Sequence, residues 1–117
     1  MNIYIICPVR VCSPDRTEAI RRYAASLRAV GHSVHFPTDD VNQNDATGSG
    51  ICRAHLSAMR EADEIHVFWD VESKGSHFDL GMAYAMGKHI VPVECYAPDG
   101  PEKSYWKVMN ECAANSD

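Results

Sequence analysis

The stretch Asp70 to Asp79, DVESKGSHFD, gathers residue types that handle anions and sugars. Ser73, Gly75 and Ser76 stand at the predicted start of a helix, where free backbone N–H groups and a partial positive charge suit a phosphate. Asp70, at the predicted end of a strand, either binds a sugar hydroxyl or caps the turn. The spacing Ser76-x-x-Asp79 also reads as a capping box, in which the serine caps the helix and the acid answers from its third residue. Arg10 follows the first predicted strand, where it binds a ligand, sits on the surface or pairs with Asp70. Cys7 and Pro8 close that strand at the same edge. Nothing in the sequence gives Cys7 a basic partner, so it reads as a buried structural thiol that faces the crevice.

Metal chemistry has a weaker basis. Cys52-x-x-His55, with His66 and His77 further on, offers zinc-binding side chains, but the paired spacings of structural zinc sites are missing, so no metal is expected. Cys7, Cys12, Cys52, Cys95 and Cys112 are odd in number and contain no Cys-x-x-Cys pair, which points to reduced thiols.

These residues must be positioned by the segments around them. Asn2 to Cys7 reads as a starting strand. Ser13-Pro14-Asp15 supplies an N-cap, a proline at the first helical position and a first-turn acid. Ile20, Tyr23, Ala24, Leu27 and Val30 then give the helix one apolar face, and Gly31 ends it. Ser33 to Phe36 is a second strand, so the unit is a right-handed crossover between parallel strands. Pro37 to Gly50 lacks periodicity and reads as a lid or binding loop. A helix follows over 51–62, with Cys52, His55, Leu56, Met59 and Ala62 on one stripe.

Ile65, Val67, Phe68 and Trp69 form a third strand buried on both faces. A helix over 76–88 follows, with Phe78, Tyr84 and Trp69 as expected core residues. His89 to Cys95 is a fourth strand, in which Pro92 fits best at an edge or a bulge. Tyr96 to Pro101 is a loop, and 102–117 is a helix whose Tyr105 and Trp106 pack under the sheet. The pattern predicts a single α/β domain with a doubly wound, Rossmann-like or flavodoxin-like parallel sheet of four or five strands. Strand order 2-1-3-4 puts the ligand crevice between strands one and three. Residues 7–12 and 70–79 then face each other across it.

With 117 residues and 45% hydrophobic content, the chain makes one domain with a core. A formal charge of −5 and scattered basic residues argue against a nucleic-acid partner. No apolar run reaches a membrane span, and no signal-peptide pattern precedes the first strand, so a cytoplasmic protein is expected.

Cys7-Pro8-Val9-Arg10 after strand one, Ala62-Asp63 before strand three, and Ser73-x-Gly75-Ser76-x-Phe78-Asp79-Leu80-Gly81-x-Ala83 after it carry a resemblance. The chain resembles the nucleoside 2-deoxyribosyltransferase-like superfamily, near the 2′-deoxynucleoside 5′-monophosphate N-hydrolases, over about 95 of its 117 residues. The resemblance implies a homodimer that needs no cofactor and acts on a nucleoside or nucleotide. An exposed stripe at Met59 or Trp106 would support dimerisation.

The resemblance also assigns roles. Asp79 occupies the place of a glutamate that attacks C1′ of the sugar in a retaining reaction. His55, seven residues before Ala62, occupies the place of an assisting carboxylic acid. Ser73 matches a serine that binds the 5′-phosphate, and Arg10 an arginine that holds the substrate. Both chemical positions depart from the family pattern. Aspartate is shorter than glutamate by one methylene, roughly 1.5 Å. A histidine, with an ordinary pKa near 6.5, keeps the ability to protonate a departing base.

Three functional classes follow. The first is an N-glycosidase or deoxyribosyltransferase-like enzyme, with Asp79 as nucleophile and His55 as acid. In the second, the same pocket binds a nucleotide as an inactive sensor or sequestering module. The third, a flavodoxin-like redox domain, lacks a Ser/Thr-rich phosphate loop after strand one.

Overall fold

The computed structural model describes residues 1–44, 47–97, 100 and 103–114. Four parallel strands, β1 (Asn2–Ile6), β2 (Ser33–His35), β3 (Glu64–Asp70) and β4 (His89–Ala97), form one sheet in the order β2-β1-β3-β4. Helices cover both faces: α1 (Pro14–Ala29) on one, and α3 (Ser49–Glu61), α4 (Lys74–Ala85) and α5 (Tyr105–Ala114) on the other, with a one-turn helix α2 (Pro37–Asp40) after β2.

Alternation along the central strands divides the core in two, because successive side chains leave a strand on opposite faces. Tyr4, Ile6, Ile65, Val67 and Trp69 meet Met59, Leu80, Ala83 and Met109 on the three-helix face. Ile5, Cys7 and Phe68 meet Ile20, Ala24 and Phe36 on the α1 face. The register that aligns Ile3 to Ile6 with Glu64 to Val67 keeps both sets in phase. β4 is an edge strand, and just after Pro92 pairs with Val67 the register shifts at a bulge. A residue without an N–H is tolerated at such a position.

Several segments differ from the sequence reading. Pro37 to Gly50 is not wholly irregular: proline starts α2, Asp40 accepts from the Phe36 N–H at 2.7 Å, and α3 begins at Ser49. β4 continues through Ala97, and α5 starts at Tyr105. The expected ends of the 96–101 loop and of the last helix fall partly outside the described residues. Phe78 is 56% exposed and Tyr84 63%, so neither is a core residue, and Tyr105 is half exposed. Trp69 and Met59 are fully buried, and Trp106 packs against the three-helix core. Helix α4 turns the polar Ser76 and Asp79 inward together with Leu80 and Ala83, so its apolar residues do not mark the inner side.

Candidate active site

β3 delivers the chain to α4 through a tight, self-capped turn. The Asp70 carboxylate accepts from the Glu72 N–H at 2.9 Å, and the Asp70 carbonyl accepts from the Ser73 N–H at 3.0 Å. Ser73 is the N-cap: its hydroxyl accepts from the Ser76 N–H at 3.3 Å and shares a 2.7 Å hydrogen bond with the Ser76 hydroxyl. The predicted capping box is therefore displaced by three residues, with Ser73 in place of Ser76. Asp79 is thereby freed from capping, because it lies well inside the helix and points at the sheet.

Asp79 is 4% exposed, and both of its carboxylate oxygens are engaged. The Tyr4 hydroxyl, reaching from mid-β1, donates to Oδ2 at 2.8 Å. His55, reaching from α3, places Nδ1 3.1 Å from Oδ1 and 3.0 Å from Oδ2. An ionised carboxylate only accepts, so Nδ1 carries the hydrogen and Nε2 is the free position. That Nε2 is buried and has no hydrogen-bond partner among the described residues. Burial first, and then the neighbouring Asp79 charge, push the Tyr4 pKa far above its ordinary value. Tyr4 therefore remains a donor to Asp79 at any working pH.

A second imidazole completes the cluster. His35 stacks on Tyr4 with ring centroids 5.1 Å apart and meets His55 edge-on at 6.2 Å. Burial lowers its pKa, although the charges of Asp40 and Asp79 oppose the effect.

Neither Tyr4 nor His35 was singled out from sequence. Tyr4 did carry a signal, since a tyrosine in a doubly buried strand must find a partner for its hydroxyl. His35 carried none, as its face became defined only once β2 was in register with β1.

The other predicted residues occupy the strand-end edge. Ser73 is buried at the start of α4, with Gly75 in its first turn. Asp70 is buried and pairs at 3.3 Å with Arg16, whose guanidinium also lies 4.5 Å over the Tyr96 ring. The ion-pair partner of Asp70 is thus Arg16 and not Arg10. Arg10 is exposed, and no hydrogen bond or ion pair is found for it among the described residues. Pro8 is fully buried. Cys7 packs in the α1-face core, where burial pushes its thiol up to about 12 against a lowering hydrogen bond from Thr38. A thiol in that state is not a nucleophile near neutral pH.

Among the described residues, no group of three or more His, Cys, Asp or Glu is placed to hold a metal ion, and the five cysteines are free. No described helix is long and apolar enough to cross a membrane. An apolar cavity of about 300 Å³ lies between α4 and α5, walled by Leu80, Tyr84, Tyr105 and Met109. It does not include the Asp79 cluster.

Fold and site together define an α/β domain in which a carboxylate, a phenol and two imidazoles are gathered between the sheet and its helices. The family profile of the nucleoside 2-deoxyribosyltransferases matches residues 3–111, and the chain belongs to that family. Among solved structures it is similar to the CMP N-glycosidase BcmB of Clostridium botulinum, with TM-score 0.66 and 17% identity over 95% of this chain and 81% of that one. It is also similar to a 2-desoxiribosyltransferase from Leishmania mexicana, with TM-score 0.57 and 29% identity over 83% of this chain. The chain spans 64% of the length of the Leishmania protein. No curated protein sequence matches it.

Proposed function

We propose that the protein breaks the base–sugar bond of a nucleoside or nucleoside 5′-monophosphate, as an N-glycosidase or deoxyribosyltransferase-like enzyme, by a retaining route. One observation carries the proposal: Asp79 is held between the Tyr4 hydroxyl and Nδ1 of His55, while Nε2 of His55 is left buried and unpartnered. Family membership and the two structural neighbours support an activity of this class.

In this reading an Asp79 oxygen attacks C1′ as the C1′–N bond breaks. The bonding pair leaves with the base, which takes a proton from Nε2 of protonated His55. Water, or a second base, then attacks C1′. His55 accepts the proton released, and Asp79 departs as carboxylate. Two displacements at one carbon retain its configuration. The fixed Tyr4 donor aims the carboxylate and is already in place when the oxocarbenium-like transition state forms.

Ser73, Gly75 and the α4 N-terminus hold the phosphate or sugar. Arg10 and Asp70 contribute from the strand ends, and Cys7 and Pro8 form the floor beneath. No cofactor takes part.

The protein works as a homodimer in the cytoplasm. The apolar side chains exposed on α4 and α5, Phe78, Tyr84, Tyr105 and Val108, support a second copy there.

A second reading, nucleotide binding without cleavage, is favoured by the 4% exposure of Asp79 and the engagement of both its oxygens. Incubating wild type and Asp79→Ala with ribo- and deoxyribonucleosides and their 5′-monophosphates, with chromatography of the products, separates the two. Base released by wild type alone supports the enzyme. A thermal shift with one nucleotide and no base release from any supports the binder.

A further inference from the structure

We propose that His77 is a positioning residue for the 5′-phosphate: it pins the Ser73 carbonyl and so sets how strongly the site prefers a nucleoside 5′-monophosphate to the nucleoside. The inference rests on the functional reading above, in which Ser73 and the start of α4 hold the phosphate, and it adds a residue to which that reading gives no part.

The Ser73 carbonyl accepts twice from one residue. The His77 backbone N–H reaches it at 3.3 Å, a long first bond for α4, whereas Nδ1 of the His77 ring reaches it at 2.7 Å. A carbonyl only accepts, so Nδ1 carries the hydrogen, in the neutral ring and in the protonated one alike. The shorter bond belongs to the side chain, and it does most to hold the carbonyl. The ring that makes it is itself held. Its centroid lies 4.7 Å from that of the fully buried Trp69 and 5.5 Å from that of Tyr105, and those two rings are 5.9 Å apart. β3, α4 and α5 thus meet at this imidazole.

A trans peptide is planar, so fixing the Ser73 carbonyl also fixes the Lys74 N–H, which points the opposite way, out of the helix start. Helix geometry leaves the Lys74 and Gly75 N–H groups without a partner inside α4, while the Ser76 N–H goes to the Ser73 hydroxyl at 3.3 Å. These open donors and that hydroxyl are what a phosphate meets at the turn. An anion gains most from donors already aimed, because none of its binding energy goes into ordering them. His77 acts on the phosphate without touching it, since its ring lies beside Leu80 and Gly81 on the wall of the cavity between α4 and α5. A nucleoside has no phosphate to place on these donors, so its binding is insensitive to His77.

Two variants test this. His77→Phe keeps an aromatic ring against Trp69 and Tyr105 but loses the donor, whereas His77→Asn loses the ring but places an amide N–H where Nδ1 stood. Both are made in an Asp79→Asn background so that ligands are not consumed, with Ser73→Ala in the same background as control. Calorimetry, by displacement where binding is weak, measures the ribo- and deoxyribonucleosides and their 5′-monophosphates. His77→Phe is expected to weaken the best-bound nucleotide about tenfold and to leave its nucleoside within about twofold. His77→Asn is expected to recover most of the loss. Thermal melting confirms folding, and should His77→Phe not fold, the same comparison is read from His77→Leu. Equal losses for nucleotide and nucleoside, no loss with His77→Phe, no recovery with His77→Asn, or no nucleotide binding before substitution at His77 would each overturn the proposal. Ser73→Ala separates this from the wider reading. If it selectively weakens the nucleotide while His77→Phe does not, the phosphate subsite stands and His77 has no part in it. If neither does, the subsite itself fails and the proposal with it.

Discussion

The two faces of the sheet carry similar polar groups in opposite states. Under α1, the Tyr23 hydroxyl lies 2.6 Å from Nδ1 of His66, and Nε2 of His66 lies 3.0 Å from Glu64, so both ring nitrogens are satisfied. Under α3 and α4, Tyr4, Asp79 and His55 make an equally close set, yet His55 and His35 each keep an unpartnered buried nitrogen. A closed network rigidifies a core, whereas an open one at a similar depth holds bonding capacity in reserve. The same residue types are therefore satisfied within the protein in one network, whereas in the other, under the proposed function, the unpartnered Nε2 of His55 meets a ligand.

The sharpest way to break this comparison is to disable the open side. Asp79→Asn keeps the size but turns one accepting oxygen into an NH2 donor and removes the proposed nucleophile, and base release is expected to fall by about 10⁴-fold. A fall within tenfold in an initial-rate assay would remove Asp79 from the chemistry. His55→Phe is expected to cost about 10²- to 10⁴-fold, the usual range for a lost general acid. The loss should shrink for substrates whose departing base needs no proton. Tyr4→Phe leaves the carboxylate in place but less firmly aimed. A loss of roughly 10- to 100-fold in kcat, with KM nearly unchanged, is expected.

The closed side should respond in the opposite manner. Tyr23→Phe leaves Nδ1 of His66 without its partner, so chemical denaturation should report a loss of about 1–3 kcal/mol. Base release at 25 °C should stay within about twofold. If Tyr23→Phe harms activity as much as Tyr4→Phe does, the two networks are not functionally distinct.

Much of this layout was legible in the sequence. Apolar runs at Ile3–Ile6 and Ile65–Trp69, the Ser13-Pro14 helix start and the crossover spacing suffice for a parallel sheet and its order. Asp79 and His55 were reached through the resemblance, and the structure brings them to within 3.1 Å of each other. The capping box misplaced the start of α4 because Ser73 and Ser76 both satisfy the local rule, and tertiary packing chose the earlier one. Tyr4 and His35 escaped because strand alternation assigns side chains to two faces without saying which face holds the site. Phe78 and Tyr84 lie outside the core because α4 buries the polar Ser76 and Asp79 beside Leu80 and Ala83, so apolar character does not mark its inner side.

The smallest expected effect concerns Cys7. Burial raises its folded-state pKa to about 12, so from the ordinary thiol range up to that value only the unfolded chain ionises. Stability is then fully present below the ordinary thiol pKa and declines as pH rises toward 12. Cys7→Ala should flatten the fall in melting temperature between about pH 8 and 10. Iodoacetamide at pH 7.5 should label exposed Cys52 well before Cys7.

The most direct test of Asp79 as nucleophile is intact-mass and peptide mass spectrometry of protein quenched during turnover of a 2′-fluorinated nucleoside 5′-monophosphate, which slows release of a covalent intermediate. The account predicts a mass increase equal to the sugar phosphate, located on Asp79 and absent from Asp79→Asn. Free base released without any adduct, together with a sugar product of inverted configuration at C1′, would contradict it.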